Sequence, residues 1–463
     1  MSRVERSRAT DRPRTASPTR SSSRSSTRLL LSAALVALAC VGAQTAVAQA
    51  APAAPAAPAA TAAGFYTPPA SLPAQNGALV RTEPLPLAIS LPSLGGPFPG
   101  KATRLMYRST DSNGEPVAVT GAYIEPSAAW RGGGARPLVA VAPGTMGQGD
   151  ECAASKGLEH PILLEGDSVS VGYEDLSIYR LLASGVAVVV TDYVGLGTTD
   201  RLHTYVNRVD GGHAVLDAVR AARSLPGTSL RPESRVGLYG YSQGGGATAA
   251  AAELAASYAP DVQLAGTYSG APPADLTETI KGIDGSALTG ALGWSLNGFL
   301  QADPGLRPIA DAHLSDKGRA ALEDLSGMCI GDSLLAYGFR RSSSWTTDGK
   351  SLSQIVESEP RIQEVLDDQR IGNLKPSGPV RVATGVQDDI VPHRQSRQMA
   401  VDWCRKGANV TYEAIALPNL GDKIVTNHMV PLLTDQGAAI DWLKDRLEGR
   451  SAVSNCWSMP LQP

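Results

Sequence analysis

Short runs of apolar residues alternate along this chain with segments whose apolar positions recur at helical spacing. Arg104–Tyr107 and Val117–Ile124 read as strands joined by the turn Asp111-Ser112-Asn113-Gly114. A strand at Pro137–Val141 is followed by a Gly-rich loop and a helix at Tyr173–Leu182. A strand at Val186–Val190 leads to the amphipathic helix His213–Arg223. Val236–Tyr239 then precedes a sharp turn and the Ala-rich helical run 245–254. Strands at Leu264–Tyr268, Val380–Ala383 and Val410–Ala416 complete the set, with helices Ser396–Cys404 and Asp435–Leu447 after the last two. All-apolar strands separated by helices predict an α/β protein whose mostly parallel sheet is buried on both faces. The alternation breaks once. Between Ser269 and Pro379 only helical stretches are found, at Ala287–Leu300, Ser315–Leu325 and Leu352–Leu366. Because strands resume directly afterwards, a helical cap inserted at about 270–379 is expected rather than a separate domain.

The N-terminal region follows different rules. Arg residues among Ser, Thr and Pro precede the apolar run Leu29–Ala39, which is too short for the ~20 residues that span a bilayer. Ala46-Val47-Ala48 and Ala48-Gln49-Ala50 offer small-residue cleavage sites. Residues 1–50 are therefore expected to be an export signal cleaved near Ala48–Ala50, followed by an Ala/Pro linker at 51–70 and the main domain at 71–463. A net charge of −3 and pI of 6.1 give no reason to expect nucleic acid or an anionic membrane as partner, and with so short an apolar run no stable membrane span is expected. Removal of the signal takes Cys40 with it and leaves Cys152, Cys329, Cys404 and Cys456. Four cysteines in an exported chain argue for two disulfides, and three connectivities are open. None of them forms a Cys-x-x-Cys pair, so no metal is expected, and no motif calls for a cofactor.

Gly240-Tyr241-Ser242-Gln243-Gly244 carries the chemistry, since strand residues precede it and helix residues follow. A serine on so sharp a turn needs small neighbours, and its hydroxyl is held in the open. Activating it requires a histidine and an orienting carboxylate, in the chain order Ser, acid, His. His160, His203 and His213 precede the serine. His313 lies in the expected cap, and His393 opens a helix at an expected surface position. His428, placed in a loop spanning Asp422–Met429, remains. The acid candidates are Asp388 and Asp389 in the loop after strand Val380–Ala383, with Asp422 a rival. Either aspartate of the pair could instead cap the next helix. Other motifs fail on inspection. Gly349-Lys350-Ser351 lacks the leading glycine of a phosphate loop because position 344 is Ser, and Gly195-Leu196-Gly197 reads as a turn.

Gly240–Gly245, the run Gly385…Asp388…Val391-Pro392 and Asn427-His428 together resemble the α/β-hydrolase fold. The segment Pro143–Ser155 narrows the resemblance to the secretory lipase family of Candida antarctica lipase A, particularly its actinobacterial branch, over roughly Pro68 to Trp457. The resemblance implies that Asp388, ahead of the Val-Pro pair, is the acid. It implies a helical cap after the sixth strand, and the pairs Cys152–Cys329 and Cys404–Cys456. Many α/β-hydrolases carry His-Gly where Pro143-Gly144 stands here. One oxyanion donor is expected from the Gln243 N–H and another from the Gly144–Met146 segment, with Gly144 and Thr145 as candidates.

The expected function is a secreted serine carboxylic-ester hydrolase, favouring triacylglycerol lipase, with Ser242, Asp388 and His428 as the trio. Its partner is an ester or lipid substrate at a lipid–water interface. Apolar residues at helical spacing in Ala287–Leu300 suit an acyl tunnel, and suit packing onto the main domain equally well. The alternatives are an exported esterase of short-chain or polymeric esters, a serine peptidase using Glu357, Glu359 and Glu364, and an inactive binding module.

Overall fold

The computed structural model of the chain describes residues 62–88, 99–160, 162–165 and 168–463. The expected signal at 1–50 and the first part of the linker lie outside the described residues. The linker was expected to run to residue 70, and this is corrected. Helix α1 (Ala62–Phe65) leads into Tyr66, and Phe65 and Tyr66 are buried against Met106 and Ala118. Two aromatic rings removed from water are enough to dock a segment whose Ala/Pro composition alone reads as unstructured.

Three antiparallel strands come first: β1 (Leu79–Leu85), β2 (Gly100–Thr110) and β3 (Pro116–Pro126). Periodicity does not reveal β1, because it is an edge strand that carries Arg81, Glu83 and Pro84. Next come β4 (Leu138–Ala142), α2 (Ala154–Gly157), the small hairpin of β5 (Ile162–Glu165) and β6 (Ser168–Val171), and α3 (Asp175–Ala183). They lead to β7 (Ala187–Val194), α4 (Arg208–Ser224), β8 (Val236–Tyr241), α5 (Gln243–Tyr258) and β9 (Leu264–Gly270). The next segment holds α6 (Leu276–Ile283), α7 (Gly290–Ala302), α8 (Arg307–His313), α9 (Asp316–Ser326), α10 (Ile330–Tyr337), α11 (Leu352–Ser358) and α12 (Pro360–Asp368). No named strand lies among them. The helix expected at Leu352–Leu366 is in fact two. Pro360 has no N–H to continue α11 and holds Glu359 extended, so α12 restarts with proline in its first turn. The sheet resumes with β10 (Val380–Gly385), α13 (His393–Arg405), β11 (Val410–Ile415) and α14 (Thr426–Leu447).

These strands form one nine-stranded sheet in the order β1-β2-β3-β7-β4-β8-β9-β10-β11. The six from β7 to β11 in that order are parallel. Helices α4, α5 and α13 cover one face and α3 and α14 the other. Burial on both faces explains why the central strands are apolar at every position: β4 and β7 have no exposed residue. Each Val or Leu buried there contributes roughly 1.5–3 kcal/mol. The chain leaves β4 for β7 on one side and returns to β8 on the other, so connections part at β4. In open α/β sheets a crevice forms where connections part in this way, at the carboxyl ends of the strands.

The return from the helical segment is anchored by a buried carboxylate. Glu253 of α5 accepts from Gly372 N (2.8 Å), Leu374 N (3.1 Å) and the Trp403 ring N–H (2.8 Å), and pairs with Arg208 at 2.8 Å. Two disulfides, Cys152–Cys329 and Cys404–Cys456, close with the expected partners. The first joins the loop after β4 to the start of α10.

Close approach of backbones decides two glycines at the β8–α5 turn. A Cβ on Gly240 would overlap the carbonyl of Gly244, and one on Gly244 would overlap the carbonyl of Ala142 in β4. The Gly244→Ala variant is expected to lose about 1–3 kcal/mol, as overpacked sites do. Urea denaturation followed by circular dichroism checks this.

Candidate active site

Ser242 sits between β8 and α5 with φ 57° and ψ −124°, a conformation that a residue with a side chain adopts only under constraint. The constraint is visible in the backbone. The Ser242 N–H donates to Gly270 O of β9 at 2.9 Å, and Gly246 N–H donates to the Ser242 carbonyl at 3.0 Å. The hydroxyl is left partly exposed at the carboxyl end of the sheet.

His428 was expected in a loop, and this is corrected: it lies in the first turn of α14. That helix starts nine residues earlier than its apolar periodicity suggests, and Pro431 in its first turns hides the start. Its Nε2 lies 2.9 Å from Ser242 Oγ, and its Nδ1 lies 2.7 Å from Asp388 Oδ2. A carboxylate facing Nδ1 fixes the proton there and leaves Nε2 free to accept from the serine. Tyr241, next to the serine, donates from its hydroxyl to the His428 carbonyl at 2.7 Å.

Asp388 also holds its own loop. Its Oδ1 accepts from Ile390 N at 3.1 Å and Val391 N at 2.9 Å. Neither aspartate takes the helix-capping role expected for one of them, because Ile390 and Val391 lie in the loop before α13, whose N-cap, Pro392, makes no side-chain bond. Asp389 does not cap α13; its Oδ2 accepts from the Lys423 N–H, joining the acid-bearing loop to the one that leads into α14. Asp422 is exposed and pairs with Asn419. His393 is half-buried against the Tyr412 hydroxyl at 3.0 Å, not at the surface as expected, because α13 turns its first residue onto β11.

The loop after β4 is held at almost every polar atom. Tyr193 OH donates to Pro143 O (2.6 Å), Tyr173 OH to Thr145 O (3.0 Å), and Ile330 N to Met146 O (2.8 Å). The Thr145 and Tyr205 hydroxyls lie 2.7 Å apart. Gly144 N–H donates to Glu174 Oε1 at 2.9 Å, so this expected oxyanion donor is already engaged. Among the described residues no acceptor faces the Thr145 N–H or the Gln243 N–H, and both residues border the same cavity as Ser242. Burial pushes the Glu174 carboxyl up to about 7. Sequence reading overlooked Glu174 and Tyr173, which precede a helix and carry no motif.

His203 was set aside on chain order, yet it lies directly beneath the site. It is buried, its Nδ1 lies 3.0 Å from Val194 O, and its Nε2 is 2.9 Å from the Gln243 side-chain nitrogen. Burial pulls it down to about 4, which keeps it neutral. The Nδ1–H donates to the carbonyl, and Nε2 accepts from Gln243.

A cavity of about 130 Å³ opens at Ser242 and runs into the helical segment. Leu276, Ile280, Leu292, Leu296, Phe299 and Val356 are among its largely apolar walls. The two readings of Ala287–Leu300 are both partly right. Leu288, Leu292, Leu296 and Phe299 face the cavity, whereas Trp294 is fully buried with its ring N–H donating to Leu325 O at 2.8 Å. Glu357, Glu359 and Glu364 are not among the lining residues. They pair with Lys281, His313 and Arg361.

Sheet order, inserted helices and the serine turn define an α/β-hydrolase. The family described as secretory lipase matches residues 159–455, well over half of the chain, and the chain belongs to it. A probable inactive lipase of Mycobacterium tuberculosis is 31 % identical over 388 residues, 83 % of this chain and 82 % of that one. A secreted triacylglycerol lipase of Malassezia globosa is 27 % identical over 317 residues, 68 % of this chain and 64 % of that one. The closed-state structure of Candida antarctica lipase A superposes with a TM-score of 0.69 at 21 % identity, covering 84 % of this chain and 86 % of that one.

The neutral His203 yields a pH prediction. Between its ordinary 6.5 and about 4 the unfolded chain takes a proton there that the folded chain refuses, so stability present above pH 6.5 declines toward pH 4. This contribution is on the order of 3 kcal/mol. The His203→Gln variant is expected to lose that part of the acid slope, read as urea midpoints at pH 7, 5.5 and 4.5 beside the parent.

Proposed function

We infer that this chain is a secreted serine carboxylic-ester hydrolase, and more narrowly a triacylglycerol lipase. The observation that carries the reading is the chain of hydrogen bonds Ser242–His428–Asp388 at the mouth of an apolar cavity. Ser242 Oγ attacks the ester carbonyl carbon while its proton passes to His428 Nε2, and Asp388 stabilises the imidazolium. The carbonyl oxygen, now an anion, is met by the N–H groups of Gln243 and Thr145. As the tetrahedral species collapses, the C–O bond to the alcohol breaks and His428 protonates the leaving oxygen. Water then adds to the acyl-enzyme, giving its proton to His428, and the fatty acid leaves as Ser242 is restored.

Burial of a hydrocarbon chain against the cavity walls supplies binding energy of about 0.8 kcal/mol per methylene, so such a site gains from longer acyl groups. This favours a lipase over an esterase of short or polymeric esters. The peptidase reading loses its basis, since none of its three glutamates lines the cavity and each is already paired with a side chain, Glu359 with the lining residue His313. Secretion is supported by the apolar run with its Ala-x-Ala sites, by the two disulfides, and by the printed description of the Malassezia relative as secreted. The inactive reading has one relative named in that way in its favour. Against it stands the two-bond relay, which has normal hydrogen-bond lengths at both links.

Two measurements test the reading. Ser242→Ala should lower hydrolysis of nitrophenyl esters and triolein emulsion by at least ~10⁴-fold and abolish labelling by a fluorophosphonate, while a peptide panel stays uncleaved by the parent. Retention of substantial ester hydrolysis by the variant sinks the assignment. Leu296→Trp, which fills the cavity, should lower kcat/KM for long-chain esters by roughly tenfold or more relative to butyrate, an effect worth about 1.4 kcal/mol. Equal losses on both substrates would place the acyl group elsewhere.

A further inference from the structure

We propose that Glu174 and Tyr173 are positioning residues that aim the Thr145 N–H at the developing oxyanion. This inference rests on the hydrolase reading above. Gly144 and Thr145 share one peptide plane, formed by the Gly144 carbonyl and the Thr145 N–H. The atoms on either side of that plane are both tied down. Gly144 N–H donates to Glu174 Oε1 at 2.9 Å, and Thr145 O accepts from Tyr173 OH at 3.0 Å. With both flanking atoms fixed, rotation of the plane is restricted, and its own N–H is the group without an internal acceptor beside Ser242.

The two anchors are built into the fold. Adjacent residues supply them, at the start of α3, and Glu174 is 5 % exposed. Glu174 Oε2 is buried without a partner, so this carboxyl is held away from water with Gly144 N–H as its hydrogen-bond donor. Keeping a carboxyl in such a place is unfavourable for stability alone. Gly144 belongs to the same arrangement, because a Cβ there would overlap the Tyr173 hydroxyl. Glycine at 144 is thus required for Tyr173 to reach Thr145.

The distinction from a merely structural role lies in where the loss falls. A donor misplaced by a fraction of an ångström weakens the transition state and leaves substrate binding in the apolar cavity untouched. Glu174→Ala and Tyr173→Phe should each lower kcat for nitrophenyl butyrate by roughly 10- to 100-fold, with KM within about threefold. The same factor should appear in the inhibition constant of phenylethylboronic acid, whose tetrahedral adduct on Ser242 places an oxygen where the oxyanion forms. Glu174→Gln keeps an acceptor for Gly144 N–H and should stay within about fivefold of the parent. If Glu174→Ala does not fold, Tyr173→Phe with its boronate constant decides. Folded variants that match the parent in kcat and boronate affinity overturn the proposal, as does Glu174→Gln being no better than Glu174→Ala. A parent chain that neither hydrolyses esters nor takes the fluorophosphonate overturns the hydrolase reading itself. An active parent with indifferent variants overturns only the positioning role.

Discussion

The turn between β8 and α5 constrains everything else in the site. Ser242 is held at positive φ, and the hold depends on backbone passing backbone with no room for a Cβ at Gly240 or Gly244. Two backbone hydrogen bonds, to β9 on one side and within α5 on the other, fix the strained residue. The cost of that conformation, on the order of 1–3 kcal/mol, is tolerated because the surrounding sheet over-determines it. Once the serine is fixed, the loops after β4 and β10 and the first turn of α14 have to converge on it, and each does so with its own local anchor.

Those anchors share a principle. Asp388 holds its own loop through two backbone N–H groups before it reaches His428. Tyr241 binds the carbonyl of the very histidine that faces its neighbour. His203, neutral by burial, receives the side chain of Gln243, whose backbone borders the serine. In each case a side chain next to Ser242 or His428 has its remaining polar atoms satisfied, the preorganised arrangement that the proposed hydrolysis requires.

Much of this was legible in the sequence, for identifiable reasons. All-apolar strands marked the buried parallel sheet, and glycines on both sides of Ser242 marked the turn. Chain order singled out His428, and the pairing of cysteines came only through the family resemblance. What stayed hidden depends on contacts between segments distant in sequence. Glu174 and Gly144 are thirty residues apart and meet only because α3 packs on the sheet over β7, the strand next to β4. His203 was passed over because the order rule tests for a relay and says nothing of groups that support one. The true start of α14 was masked by Pro431, and β1 by its charged, half-exposed edge. Phe65 and Tyr66 were missed because their docking partners, Met106 and Ala118, lie in later strands.

The loop after β4 and the start of α10 are fastened by more than the Cys152–Cys329 bond. Gly147 and Cys329 form an antiparallel bridge, and Met146 and Gln148 exchange backbone hydrogen bonds with Ile330 and Met328. The inserted helices are therefore pinned to this loop two residues from Thr145, which borders the same cavity as Ser242. Substitutions there act directly on the loop that carries Thr145, whereas among the described residues α11 and α12, which also line the cavity, have no such fastening to that loop. Substitutions in the cavity walls that α11 and α12 supply therefore reach the serine through the cavity itself and not through the backbone of that loop.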